Sequence, residues 1–238
     1  MANRIFISGD THGLLDAGKL INLSEKEKLD YKDYLIICGD CGVVWDKDLL
    51  DAHIEVYENL NTNVMFIDGN HENFDMLNEY KVEIWAGGKI HKISDHITHL
   101  MRGQVFEILG KTFFCLGGAN STDKAYRTEH ISWWNDEEIT HTNLQESLEN
   151  LSKHNFKVDY VLTHCPPNKI ITKIAEIFTQ CGESVPYFLE KKLKHTSSGE
   201  ILDILQQKID FKKWFFGHLH IDEYMLKHNA LFENIIKL

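Results

Sequence analysis

Five short apolar runs in this chain each break off at residues able to bind a metal. Ile5-Phe6-Ile7-Ser8 leads into Gly9-Asp10-Thr11-His12, Tyr34-Leu35-Ile36-Ile37 into Gly39-Asp40, and Val64-Met65-Phe66-Ile67 into Gly69-Asn70-His71-Glu72. Val158-Asp159-Tyr160-Val161-Leu162 leads into His164, and Trp214-Phe215-Phe216 into Gly217-His218-Leu219-His220. Runs of this length read as β-strands. Asp10, Asp40 and Asn70 stand 30 residues apart, about the length of a strand, a crossover helix and a returning parallel strand. Leu14, Leu15, Leu20 and Ile21 begin one helical face, and Leu49, Leu50, His53, Ile54 and Tyr57 form the next. Parallel strands with helices packed outside are expected for this half.

Beyond Glu72 the stretches become β-rich: Ile97-Thr98-His99-Leu100, Val105-Phe106-Glu107-Ile108 and Thr112-Phe113-Phe114, with a hairpin turn expected at Gly110-Lys111. A second sheet, at least partly antiparallel, is the simplest use for them. Thr142-Asn143-Leu144-Gln145 and Ser197-Ser198-Gly199-Glu200 match capping boxes that open helices. A helical insertion is expected at roughly 166–210, with Ile170, Ile171, Ile174, Ile177 and Phe178 on one face; it reads first as core and second as a cap on a cleft. Segments 223–226 and 231–236 read as closing strands around His228-Asn229.

The donors run from Asp10 to His220 of 238 residues, so a single domain spanning 1–238 keeps them in one unit. In an open α/β sheet ligands gather at the carboxyl ends of strands, and donors far apart in sequence then share one cleft. The net charge of −11 argues against general binding to a nucleic-acid backbone. It leaves room for a phosphorylated substrate, because bound divalent cations reverse the sign locally. Lys191, Lys192 and Lys194 read as solvated surface. A strand-like start at the amino terminus, and apolar runs well short of the roughly 20 residues that span a bilayer, point to a cytoplasmic protein with no membrane partner. The five cysteines then read as reduced thiols. Oligomeric state has no signature.

Two Asp, one Asn and four His combine hard oxygen with imidazole, a mixture suited to divalent Mn, Fe, Zn, Ni or Co. In their order these residues resemble the signature of the calcineurin-like metallophosphoesterases: Asp-x-His, Gly-Asp, Gly-Asn-His-Asp/Glu, His and Gly-His-x-His. The resemblance implies a four-layer α/β/β/α sandwich of two mixed β-sheets. It also implies two divalent ions, manganese foremost, with Asp10, His12 and His220 on one, Asn70, His164 and His218 on the other, and Asp40 between them. The activity implied is hydrolysis of phosphate mono- or diesters by a metal-bridging hydroxide, on a phosphorylated small molecule or nucleotide. His71, beside Asn70, is placed as the general acid, with Glu72 orienting it.

Two arginines of the protein Ser/Thr phosphatase branch are missing. Asp40 is followed by Cys41-Gly42-Val43-Val44-Trp45-Asp46, with no Asp-Arg, and Asp68 stands where that branch has Arg before Gly-Asn-His. Among Arg4, Arg102 and Arg127, the choice for a substitute phosphate contact is Arg127, in a polar loop after Gly117-Gly118. Trp133-Trp134 reads as packing before nucleobase stacking. The competing readings are a cyclic-nucleotide or nucleic-acid phosphodiesterase of the same fold, a non-catalytic binding or scaffold protein, and a thiol-redox site at Cys38-Gly39-Asp40-Cys41.

Overall fold

A computed structural model describes residues 3–182 and 184–238. Strands apolar at every position need cover on both faces, and β1 (Ile5–Ser8) has it: Ile5 and Ile7 enter one apolar cluster and Phe6 another. The same alternation runs through β2 (Tyr34–Cys38) and β3 (Asn63–Ile67). Ile36, Cys38, Met65 and Ile67 line one face, while Leu35, Ile37, Val64 and Phe66 line the other. α1 (Gly18–Glu27) and α2 (Leu50–Glu58) cover the second face through Leu20 and Tyr57.

After α3 (Phe74–Leu77), a hairpin of β4 (Val82–Trp85) and β5 (Gly88–Lys92) leads to β6 (Ile97–Leu100), which lies parallel to β3. The second sheet holds β7 (Gln104–Ile108), β8 (Lys111–Leu116), β9 (Tyr160–Thr163), β10 (Lys213–Phe216), β11 (Glu223–Tyr224) and β12 (His228–Ala230). β13 (Ile236–Lys237) returns to pair antiparallel with β1. The sheet orders are β13-β1-β2-β3-β6-β5-β4 and β11-β12-β10-β9-β8-β7. Phe106, Phe113, Leu162 and Phe215 of the second sheet meet the inner face of the first. α4 (His141–Ser152), α5 (Asn168–Gln180), α6 (Tyr187–Glu190) and α7 (Ser197–Gln206) bury Leu151, Ile170, Ile174, Leu189, Leu202 and Leu205 with the outer residues of the second sheet. The layers therefore run helix, sheet, sheet, helix, as expected from the sequence. Among the described residues no helix is long and apolar enough to cross a membrane.

Several local expectations shift. Ile97–Leu100 belongs to the first sheet, where β3 offers it a parallel edge, and the β4–β5 hairpin beyond it had no apolar run to announce it. The β7–β8 turn is Leu109-Gly110, both at positive φ (+50° and +70°), one residue earlier than expected. Thr140, not Thr142, caps α4 by accepting the Asn143 N–H, and Thr196, not Ser197, caps α7. His228-Asn229 lies inside β12 rather than in a turn.

Candidate metal centre

β1, β2 and β3 are parallel neighbours in one sheet, as are β9 and β10 in the other, so their carboxyl ends can share an edge. There the donor atoms of Asp10, His12 and His220 lie within 4.8 Å of one another, as do those of Asp10, Asp40 and His164, and those of His12, Asp40 and His71. Asn70 Oδ1 faces His164 Nε2 at 3.2 Å. His218 belongs to none of these groups, but its ring stands edge-on to His164 at 5.0 Å between centroids and lines the same cleft of about 420 Å³. Its backbone N–H donates to the Asp10 carboxylate, at 2.9 Å to Oδ1 and 3.1 Å to Oδ2.

The backbone is bent to bring these groups together. His12, Asp40, His218 and His220 all have positive φ, between +44° and +65°, a region sparsely occupied by residues other than glycine. The preceding glycines are needed for space: a Cβ on Gly217 would stand 2.0 Å from Asp10 Oδ1, and one on Gly69 would stand 2.1 Å from Asp40 Oδ1. Each strand end thus leaves its neighbour's carboxylate the room it occupies.

A second tier sets the direction of the donors, as outer partners do around metal ligands. His12 Nδ1 lies 2.7 Å from the Asp16 carboxylate and His164 Nδ1 lies 2.9 Å from the Cys38 carbonyl. Both partners only accept, so each Nδ1 carries hydrogen and each Nε2 is left for the centre. Asn70 Nδ2 donates to Ser121 Oγ at 3.1 Å, and Ser121 Oγ donates to Glu137 at 2.5 Å, which keeps Asn70 Oδ1 inward. Asp16, Ser121 and Glu137 were not anticipated. Only Asp16, four residues after His12, left a trace in the spacing.

Asp10 and Asp40 are buried, which pushes a carboxyl pKa up, yet facing imidazoles win. His164 and His220 hold Asp10 below the usual carboxylate range, and His164, His71 and His12 do so for Asp40. Burial opposes the charging of His12 and His164, but the same carboxylates raise both, His12 up to about 9. Buried negative charge thus draws cationic character onto His12 and His164, whereas burial wins at His218 and holds its ring well below the ordinary imidazole range. Carboxylate, amide oxygen and imidazole in this arrangement fit divalent cations of the Mn-to-Zn series. Cys38 and Cys41 fit no redox role, since both are buried and burial pushes their thiols far up.

His71 sits at the cleft with its backbone N–H on Asp40 Oδ1 at 2.7 Å and its Nε2 3.1 Å from Arg127 Nη2. Arginine only donates, so Nε2 accepts and the neutral ring carries its hydrogen on Nδ1. Burial lowers the His71 pKa, with Asp40 opposing and Arg127 adding to the fall. Glu72 does not orient His71: its carboxylate accepts the Cys41 and Gly42 N–H groups and fixes the Asp40 loop. Arg127 lines the cleft while paired with Asp123 at 2.9 Å. Arg4 is held by Asp33 and Glu27, and Arg102 by Asp68. Lys192 also lines the cleft, contrary to its reading as solvated surface, because the turn after α6 folds back toward the strand ends. Trp133 and Trp134 are buried packing residues.

A family model described as calcineurin-like phosphoesterase matches residues 3–222. The crystal structure of TT1561 of Thermus thermophilus aligns over 98% of this chain and 89% of its own, with 10% identity and a TM-score of 0.52. A second crystal structure aligns over 97% of this chain and 90% of its own, also with 10% identity, at a TM-score of 0.51. At that identity the likeness is one of fold. Among curated proteins none matches significantly.

Proposed function

The chain belongs to the calcineurin-like phosphoesterase family, a family of phosphoester hydrolases, and from that membership we propose that it hydrolyses phosphate esters with two divalent cations. The observation carrying this reading is the meeting of Asp10, Asp40, His12, His164 and His220 donor atoms at the carboxyl ends of strands from both sheets. Asp10, His12 and His220 would hold one ion, Asn70, His164 and His218 the other, with Asp40 between them. When bound, such ions, manganese first among Mn, Fe, Zn, Ni and Co, acidify a water and neutralise the phosphoryl oxygens.

The remaining work falls to the chain's own side chains. As the water oxygen bonds to phosphorus and the ester P–O bond breaks, the departing oxygen needs a proton. His71 is proposed to deliver it, being an imidazole at the cleft adjoining the donor cluster. Arg127 is proposed to grip the phosphate: moving onto substrate, it would release His71 Nε2 and withdraw a cation from it. Asp16, Cys38 O, Ser121 and Glu137 keep His12, His164 and Asn70 from turning away. The substrate would be a phosphorylated small molecule or nucleotide.

Hydrolysis of an aryl phosphate tests the reading. Turnover is expected with added manganese, with loss on chelation and recovery on re-addition. Inactivity on aryl mono- and diesters with each of the five metals would overturn it in favour of a binding role.

A further inference from the structure

We infer that Lys192 is a phosphate-binding residue that makes this site select phosphomonoesters over phosphodiesters. The inference rests on the phosphoesterase reading above and adds to it a substrate class and a residue outside the family signature.

Lys192 is placed by packing on either side of it. Leu189 is wholly buried in the outer core of the second sheet and Leu193 packs against the same cluster, so the turn is anchored at both residues. The Lys192 and Leu193 N–H groups both donate to Leu189 O, at 2.9 and 3.0 Å. Lys191 and Lys194 then face solvent, while Lys192 reaches the cleft. Its Nζ donates to the His218 carbonyl at 2.6 Å. An ammonium has three hydrogens, and among the described residues Lys192 pairs with no carboxylate. Lys19 offers a contrast. Its Nζ is spent on the Asp10 and Phe232 carbonyls, and it does not line the cleft.

The cleft therefore offers two cationic side chains outside the proposed ligand set, Arg127 from the loop after β8 and Lys192 from the turn after α6. Arg127 is already matched by Asp123; Lys192 is the cation with donors to spare. A phosphomonoester carries up to two negative charges near neutral pH, its second pKa being about 6, and presents three terminal oxygens. A diester has one charge and two such oxygens. Among the described residues, no aromatic ring other than imidazole lines the cleft to hold a base or second substituent. The surplus cation thus favours the surplus charge of the monoester.

The test compares 4-nitrophenyl phosphate with bis(4-nitrophenyl) phosphate on the metal-loaded full chain, together with binding of inorganic phosphate by calorimetry. Wild type is expected to prefer the monoester in kcat/KM. Lys192→Ala should raise the monoester KM and the phosphate Kd about 10- to 100-fold, the scale of a lost charged hydrogen bond, with diester KM and metal content little changed. Lys192→Arg should recover most of the loss, and Lys194→Ala should match wild type. A preference for the diester, an unchanged phosphate Kd in Lys192→Ala, or loss of metal in place of phosphate affinity would each overturn the inference while leaving the phosphoesterase reading standing. No turnover of either ester by wild type would overturn both.

Discussion

His71 and Arg127 show how much of the site is decided by single contacts between residues distant in sequence. His71 joins the donor atoms of His12 and Asp40 within 4.8 Å, so proton delivery must be separated from metal binding. His71→Ala is expected to keep its metal and lose turnover by about 10²- to 10⁴-fold, the usual range for general acid catalysis; elemental analysis beside steady-state rates checks this, and loss of metal would make it a ligand instead. Away from the cleft, burial between Trp214 and Phe211, with Lys173 and Lys227 nearby, pulls His228 from 6.5 down to about 4. The folded chain holds the ring neutral while the unfolded chain protonates first. That stabilisation is whole above pH 6.5 and is lost as pH falls toward about 4. His228→Phe keeps the stacking and removes the titration, so its urea midpoint should fall less than that of wild type over this window; an equal fall would contradict the assignment. The donors themselves were legible because each is a polar residue ending an apolar run. Ser121, Glu137 and Lys192 were not, because their roles depend on partners such as Asn70 and His218 that only folding brings near.

At the scale of elements, strand ends make the site and glycine makes the strand ends. A Cβ at Gly217 would collide with Asp10 Oδ1, a contact at the donor cluster rather than in the core. Gly217→Ala should therefore retain its circular dichroism spectrum while losing bound metal; unchanged metal content would show that the loop has slack. Helix starts teach the opposite lesson about legibility. Thr142-Asn143-Leu144-Gln145 has the composition of a capping box, yet Thr140 is the residue with extended backbone whose oxygen accepts the Asn143 N–H. Thr140→Ala is expected to cost about 1 kcal/mol of stability and Thr142→Ala a few tenths, measured by denaturant unfolding. The reverse order would restore the sequence-based cap. β4 and β5 carry no continuous apolar run in the sequence because Glu83, Lys89, His91 and Lys92 interrupt it. β6 joins β3 in the first sheet and not the second, a pairing its four residues do not encode, because a short strand carries no record of its neighbour.

Across the whole molecule, two sheets packed face to face bring Asp10 and His220 together from opposite ends of the chain, with the Asp10 carboxylate 3.0 Å from His220 Nε2. The parallel strands with helices outside were legible because thirty-residue spacing implies parallel crossovers, whereas the face-to-face stacking of two sheets was implied only by the resemblance of the ordered donors to the calcineurin-like signature. What the pattern could not supply was the route of the segment between β9 and β10, whose helices pack on the second sheet while its turn delivers Lys192 to the cleft. A net charge of −11 sets the background, against which the arginine and lysine of the cleft stand as local exceptions. The proposed chemistry turns on a pair of cations held by this one set of strand ends. Elemental analysis of the purified 238-residue chain after manganese loading and desalting measures it most directly: two ions per chain are predicted, falling in Asp40→Ala together with aryl phosphate turnover, and a wild-type chain that retains no divalent ion would contradict it.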